Sequence, residues 1–200
     1  MLMNKWLSKT ELHGETISLV PIVSEHNEAI VEAASDGKLW ELWYTGIPTR
    51  TSVNEHIAFA LSEYEADRVL AFVVVENASG RIIGSTRYLN AKPEHRRLEI
   101  GNTWYSASFQ RTRVNTECKL LLLTHAFEQL NAIAVEFRTH WHNHASRAAL
   151  SRLGAKQDGV LRNHQIGADG IYRDTVVFSI IESEWAAAKK ALSFKLERSS

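Results

Sequence analysis

Two periods organise the hydrophobic and polar positions of this chain. Leu70 to Glu76 and Arg81 to Leu89 are short runs rich in β-branched and aromatic residues, separated by Asn77-Ala78-Ser79-Gly80. That is the pattern of two strands joined by a four-residue hairpin loop. Glu15 to Val20, followed by Pro21, predicts an earlier strand, and Leu98 to Tyr105 predicts a later one able to pair with the second run. Helical spacing appears where Ile57, Ala60, Leu61 and Tyr64 recur at i, i+3, i+4 and i+7 behind Ser52-Val53-Asn54-Glu55, which fits a capping box. Ser24 is the expected N-cap of a helix through Ala34, with Glu25 in its first turn. In TECKLLLLTHAFEQL, Leu120, Leu123, Ala126, Phe127 and Leu130 share a face, and the consecutive leucines predict a helix buried around most of its girth.

Ile133 to Thr139 follows as a strand. A short helix is expected from the N-cap Asn143 to Leu153, stopped by Gly154. Val160 to Ile166 and Ile171 to Ile181 flank Gly167-Ala168-Asp169-Gly170, a second hairpin signal, and Ser183 is placed as the cap of a final Ala/Lys-rich helix. Asp36 to Arg50 reads as irregular and aromatic. The order is strand, two helices, a three-strand meander, βαβα-like alternation and a hairpin. It predicts a mixed α/β fold, a sheet with helices on its faces. A doubly wound nucleotide fold alternates from its first strand and does not fit. No repeat, low-complexity tract or Pro/Gly/Ser-rich linker divides the chain, so residues 1–200 are expected to form one domain.

Charge narrows the function. Lys plus Arg is 23 and Asp plus Glu is 23, so there is no basic surplus for a sequence-independent grip on nucleic acid. No window approaches a membrane-spanning apolar run. Charges interrupt the N-terminal segment before a signal-peptide core can form. The lone Cys118 argues against a disulfide-built secreted domain. The expected setting is cytoplasmic, with neither nucleic acid nor membrane as partner.

The chemistry concentrates in Glu99-Ile100-Gly101-Asn102-Thr103-Trp104-Tyr105 and Gln110-Arg111-Thr112-Arg113-Val114-Asn115. A strand, a polar turn and a buried helix expose backbone N–H groups at the helix start, a ready anion site, and Arg111 and Arg113 add cationic donors. An ordinary solvated loop would have the same residues. With this stretch, Asn143-His144-Ala145-Ser146, which opens a helix through Leu150 to Gly154, and the acid–Ile–Gly of Glu99, Ile100 and Gly101, the chain resembles the GCN5-related N-acetyltransferase (GNAT) superfamily. Within it, the chain is similar to the ribosomal-protein N-terminal acetyltransferase branch, the RimJ/RimL type. Gln110 matches the family's Gln/Arg-x-x-Gly-x-Gly/Ala loop, but Arg113 and Asn115 replace small residues, and Ala155 replaces the Phe that closes the Asn-x-x-Ser motif.

The resemblance spans about residues 14–182 and leaves a C-terminal helix of about 183–198 outside it. It implies a GNAT-like central sheet, mostly antiparallel and twisted, of about seven strands with helices on both faces. It implies acetyl-CoA as co-substrate, held by Asn102, Thr103, Trp104 and Tyr105 on the strand, Gln110, Arg111, Thr112, Arg113, Val114, Asn115 and Thr116 at the loop and helix start, and Asn143 and Arg147. Glu99 would be the base that takes a proton from the amine, directly or through water. Asn143 would lie near the reacting centre, and Ser146 would give a proton to the leaving thiolate. Trp40, Trp43 and Tyr44 fall in the acceptor-binding loop, with core packing as the competing use of such rings. The acceptor would be a protein N-terminus or a small amine. A homodimer is also allowed.

The expected reaction is direct attack in a ternary complex. A covalent route through Cys118 is disfavoured, because free cysteines are usually buried and inert. His140, His142 and His144 alternate like zinc ligands, but a strand should end and a helix begin among them, so no metal is expected. A catalytically silent acyl-CoA-binding module is the alternative, supported by Arg113 and Asn115. No Gly-x-Ser-x-Gly elbow supports a hydrolase.

Overall fold

A computed structural model describes residues 5–167 and 169–198. Its centre is one sheet of eight strands in the order β1-β2-β3-β4-β5-β6-β8-β7. The strands are β1 (Leu12–His13), β2 (Ile17–Pro21), β3 (Leu70–Glu76), β4 (Ile82–Lys92), β5 (Arg97–Tyr105), β6 (Ala134–His140), β7 (Lys156–Ile166) and β8 (Tyr172–Ile181). Every neighbouring pair is antiparallel except β5 and β6, which run parallel. The expected seven strands become eight because β1 is only two residues long, too short to leave a period in the sequence.

The strand alternation builds two cores. Leu70, Phe72 and Val74 point into one cluster with Leu98, Ile100, Val135 and Phe178. This face is covered by α3 (Val114–Thr124), α4 (His144–Leu153) and α5 (Glu182–Glu197), through Cys118, Leu122, Leu123, Leu150, Trp185 and Leu192. Ala71 and Val73 point the other way, under α1 (Asn27–Ser35) and α2 (Val53–Glu65), with Ile30, Ala34, Ile57 and Ala60. Among the described residues no helix is long and apolar enough to cross a membrane.

Several predicted caps are corrected. Ser52 does not cap α2; its hydroxyl accepts from Thr49 N–H at 2.9 Å instead. A 3₁₀ turn at Ser24–His26 precedes α1, so Ser24 lies inside the turn and Val23 in front of it. Ser183 sits within α5, whose N-cap is Ile181. The leucine-rich helix does not continue regularly to Leu130. Tyr88 donates its hydroxyl to the Leu122 carbonyl at 2.6 Å, and the helix widens into a π turn at His125–Gln129, as expected where a foreign donor enters the helical ladder. The second hairpin begins earlier than expected, at Lys156. Its turn residue Ala168 lies outside the described residues.

Asn143 and Gly154 hold their expected places. Asn143 Oδ1 accepts from Ser146 N–H at 3.0 Å, an N-cap worth about 1 kcal/mol. Gly154 ends α4 at φ 93°, where a side chain would be strained.

Candidate active site

The site is a fork in the sheet. β5 and β6 pair only through Arg97–Ala134, Leu98–Val135 and Glu99–Glu136. Beyond Glu99, β5 stays with β4 and β6 stays with β8, so two unpaired strand edges diverge. A bulge drives the parting. Ser85 pairs with Trp104 and Arg87 with Gly101, so Thr86 alone stands against Asn102 and Thr103. Asn102 takes φ 47°, a conformation asparagine tolerates better than most residues. The extra residue flips the alternation: Tyr105 joins Leu98 and Ile100 in one core, while Trp104 enters the other.

The fork opens into a cavity of about 860 Å³. Ile100 to Tyr105 form one wall and Phe137 to His140 the other, with Asn143 and Ser146 of α4 at one end. Gln110, Arg111, Thr112, Asn115 and Thr116 line it at the start of α3. Tyr44 and Gly46 close the side nearest the α1–α2 connection.

Glu99 sits where the strands part, only 6% exposed. A second bulge, on β4, sets Asn90 and Ala91 against Leu98. Asn90 takes φ 50° there and donates its amide to Glu99 Oε2 at 2.8 Å. Arg138 Nε lies 3.6 Å from the same oxygen. Burial raises the Glu99 pKa from its ordinary value, against the lowering effects of Asn90, Arg138 and Arg173. Gly101 makes the room, since a Cβ there would stand 3.1 Å from Glu99 Oε1.

Charge is sorted by position. The cavity wall carries Arg111, Lys119, Arg138, Arg152, Arg173 and Lys195, and among the described residues no Asp or Glu. On a chain of zero net charge, that suits an anionic ligand. Lys119 is 4% exposed and donates to Thr103 Oγ1 at 2.8 Å. Burial lowers its pKa to about 8.

The structure distributes the sequence candidates unevenly. Arg113 starts α3 with helical φ −64°, so no glycine is needed at that position. Its guanidinium turns to Glu15 and Glu117, away from the cavity wall. The left-handed loop residue is Arg111, at φ 61°. Asn115 does not cap the helix; it accepts from Tyr105 Oη at 3.2 Å. Val114 packs into the core. Arg147 donates to the Trp141 carbonyl at 3.2 Å and lies 4.3 Å over its ring, bracing the β6–α4 turn. Trp40 stands off the cavity wall, half-exposed. Trp43 is 66% exposed and packs edge-on to His140 at 4.9 Å between ring centres. His142 N–H donates to His140 Nδ1 at 3.0 Å. Burial, aided by Arg173 and His142, lowers the His140 pKa. Among the described residues no group of three His, Cys, Asp or Glu could hold a metal. Cys118 is fully buried, and burial raises its pKa, the opposite of a reactive thiol.

Lys119, Arg138, Arg152, Arg173 and Lys195 are absent from the sequence reading. Glu136, Arg138 and His140 alternate on β6, a period-2 signal for one shared face. Lys119, inside the apolar run of α3, was the other available sign.

Residues 16–156 match the acetyltransferase (GNAT) domain. The chain belongs to the GNAT family. A solved structure from T. thermophilus, provisionally named an acetyltransferase, shares 30% identity with it, covers 96% of this chain and 99% of its own, and superposes with a TM-score of 0.83. Mycobacterium smegmatis RimJ, solved with CoA-disulfide, shares 20% identity over 94% of this chain and 95% of its own, at a TM-score of 0.79, a likeness of fold alone. The Bacillus subtilis protein YdaF, provisionally named a ribosomal N-acetyltransferase, is 29% identical over 110 residues, 55% of this chain. The match spans about three fifths of that relative, 59% of its length.

Proposed function

We propose that this GNAT protein is an acetyl-CoA-dependent N-acetyltransferase that moves the acetyl group to a primary amine, at a protein N-terminus or on a small molecule. The observation that carries this reading is the fork: a buried carboxylate at the point where two unpaired strand edges open into a cavity walled by cations. The residues present fit CoA. At the start of α3, Val114 N–H is taken by the Thr112 hydroxyl at 3.3 Å, which leaves the helix-end N–H groups of Asn115 and Thr116 for a pyrophosphate, with Arg111 beside them and Arg152 and Lys195 near the same cavity. CoA, when bound, would supply the thioester.

The protein's own groups then account for the transfer. The amine must lose a proton, and in this reading Glu99 takes it, directly or through water, from just behind the wall residues Gly101 and Arg138. Its raised pKa brings it closer to neutral working pH, which suits a general base. The amine nitrogen attacks the thioester carbonyl and the carbon–sulfur bond breaks. Backbone N–H groups of the bulge at Asn102 to Tyr105 are candidates for the developing oxyanion, and Ser146 for returning a proton to the thiolate. The silent-module alternative rested on Arg113 and Asn115, and both take helical positions that leave the loop amides in place.

Calorimetry with CoA and with acetyl-CoA, on the wild type and on Glu99→Gln, tests the reading. Dissociation constants on the order of micromolar are expected for both proteins, with acetyl-group transfer to a panel of amines by the wild type alone. No binding of either ligand overturns it.

A further inference from the structure

The face of the sheet that carries Glu99 has one row of polar groups crossing three strands. Glu99 lies on β5; Glu136, Arg138 and His140 lie on β6; Thr175 pairs with His140 and Arg173 follows on the same face of β8. The acids in this row are already engaged. Glu136 is paired with Arg138 and lies 3.7 Å from Arg97, and Glu99 is beside Arg138. The neighbouring Asp174 is held by Arg162 and by Asn163 N–H. Arg173 feels the charge of Glu99 but makes no contact pair: among the described residues no carboxylate forms an ion pair with it within 4 Å, and its buried Nε has no hydrogen-bond acceptor. It nevertheless lines the cavity.

Position separates Arg173 from the helix-borne cations, and its lack of a paired acid separates it from Arg138. Lys119, Arg152 and Lys195 belong to α3, α4 and α5, the helices packed on the opposite face. Arg173 stands on the Glu99 face, close enough to His140 to lower its pKa, and the Trp43 ring meets that histidine edge-on. An unsatisfied, partly desolvated guanidinium there costs free energy that an incoming carboxylate would recover.

We propose that the acceptor carries a carboxylate near its reacting amine and that Arg173 holds that carboxylate. This rests on the acetyl-transfer reading and names the substrate class for the same site. Two sources share the chemistry: a free α-amino acid, or a peptide with an acidic residue at or next to its N-terminus.

Matched acceptors test it. Common α-amino acids are compared with their amides, and C-terminally blocked tetrapeptides with aspartate at position two are compared with asparagine at that position. For each, kcat/KM is read from thiol release, and binding to the CoA-saturated protein is read by calorimetry. The wild type should favour the acid member of at least one set by about tenfold or more, the scale of a lost charge-assisted contact, and the set that responds identifies the source. Arg173→Gln should reduce that preference to within about twofold while CoA affinity stays unchanged, and Arg173→Lys should keep part of it. Equal use of acid and amide by the wild type overturns the proposal, as does a preference that survives Arg173→Gln. If Arg173→Gln loses CoA binding, the wild-type and Arg173→Lys preferences decide. A protein that binds CoA but neither binds nor acetylates any acid acceptor overturns the proposal and leaves the CoA site standing. Failure of the wild type to bind CoA instead defeats the underlying acetyltransferase reading.

Discussion

Glu99 and Glu117 are both buried carboxylates, 6% and 3% exposed, and their surroundings differ in kind. Glu117, on α3, closes a joint with the start of β2. It accepts from Thr16 N–H at 3.0 Å and from the Thr16 hydroxyl, and Arg113 stands one helical turn away at 4.0 Å. Glu99 sits at the fork with one amide donor, Asn90, and an arginine at 3.6 Å that another acid already holds. One carboxylate is fully employed in holding two elements together. The other is buried with capacity to spare, next to a cavity, and burial raises its pKa. Buried acid alone is therefore no mark of a site; incomplete satisfaction beside open space is the informative combination.

Glu99→Gln breaks the comparison most severely. With the base removed, kcat for acetyl transfer should fall about 10²- to 10⁴-fold while the dissociation constant of CoA stays within about twofold of wild type. The wild-type rate should rise with pH through the raised Glu99 pKa, and the variant should lose that limb. Stability has its own sign. A carboxyl whose folded pKa is raised binds its proton more tightly in the folded state. Its contribution is present below the unfolded pKa and is lost as pH rises through the folded value. Glutamine does not ionise, so the variant should melt no lower than the wild type at neutral pH, and any advantage should shrink on acidification. A large drop in melting temperature at neutral pH would make Glu99 a structural acid like Glu117.

How much of this was legible follows from which signals are periodic. The strands of the meander, the α4 cap at Asn143 and its stop at Gly154 left patterns in residue type, and so did the acid at Glu99. The fork did not. It depends on bulges at Asn90 and Asn102, and Asn163 in β7 also takes positive φ, 48°, beside a register shift. Each is an asparagine inside an otherwise β-rich run, a residue suited to the left-handed conformation a bulge requires. Read that way, the asparagines were visible. The cationic wall was not, because Lys119, Arg138, Arg152 and Arg173 meet only through sheet order and helix docking, which no local spacing encodes.

Glu117→Ala attacks the other side of the comparison. It strands the Thr16 N–H and removes the acid beside Arg113 in a buried joint. A loss of about 3 kcal/mol is expected, which for a chain of this size lowers the melting temperature by roughly 6–12 °C. Below that transition, CoA affinity and kcat should remain within about twofold of wild type. A variant that melts normally but fails to transfer acetyl groups would erase the distinction between the two acids.

Arg113→Gly makes the smallest change and sharpens the same contrast at the loop between them. Restoring the small residue common in the family removes pairs with an exposed acid, Glu15, and with Glu117, and places glycine at the N-cap, a position that accepts it. The cost, from the lost pairs, should be about 1 kcal/mol of stability or less. Because Arg113 already takes helical φ and points its guanidinium off the cavity wall, CoA affinity should stay within about twofold, measured by calorimetry below the melting transition. A gain of tenfold or more would mean that the arginine obstructs the pyrophosphate and that the loop, as well as the fork, limits the site. An unchanged affinity would assign Arg113 to the Glu117 joint, where its side chain is found.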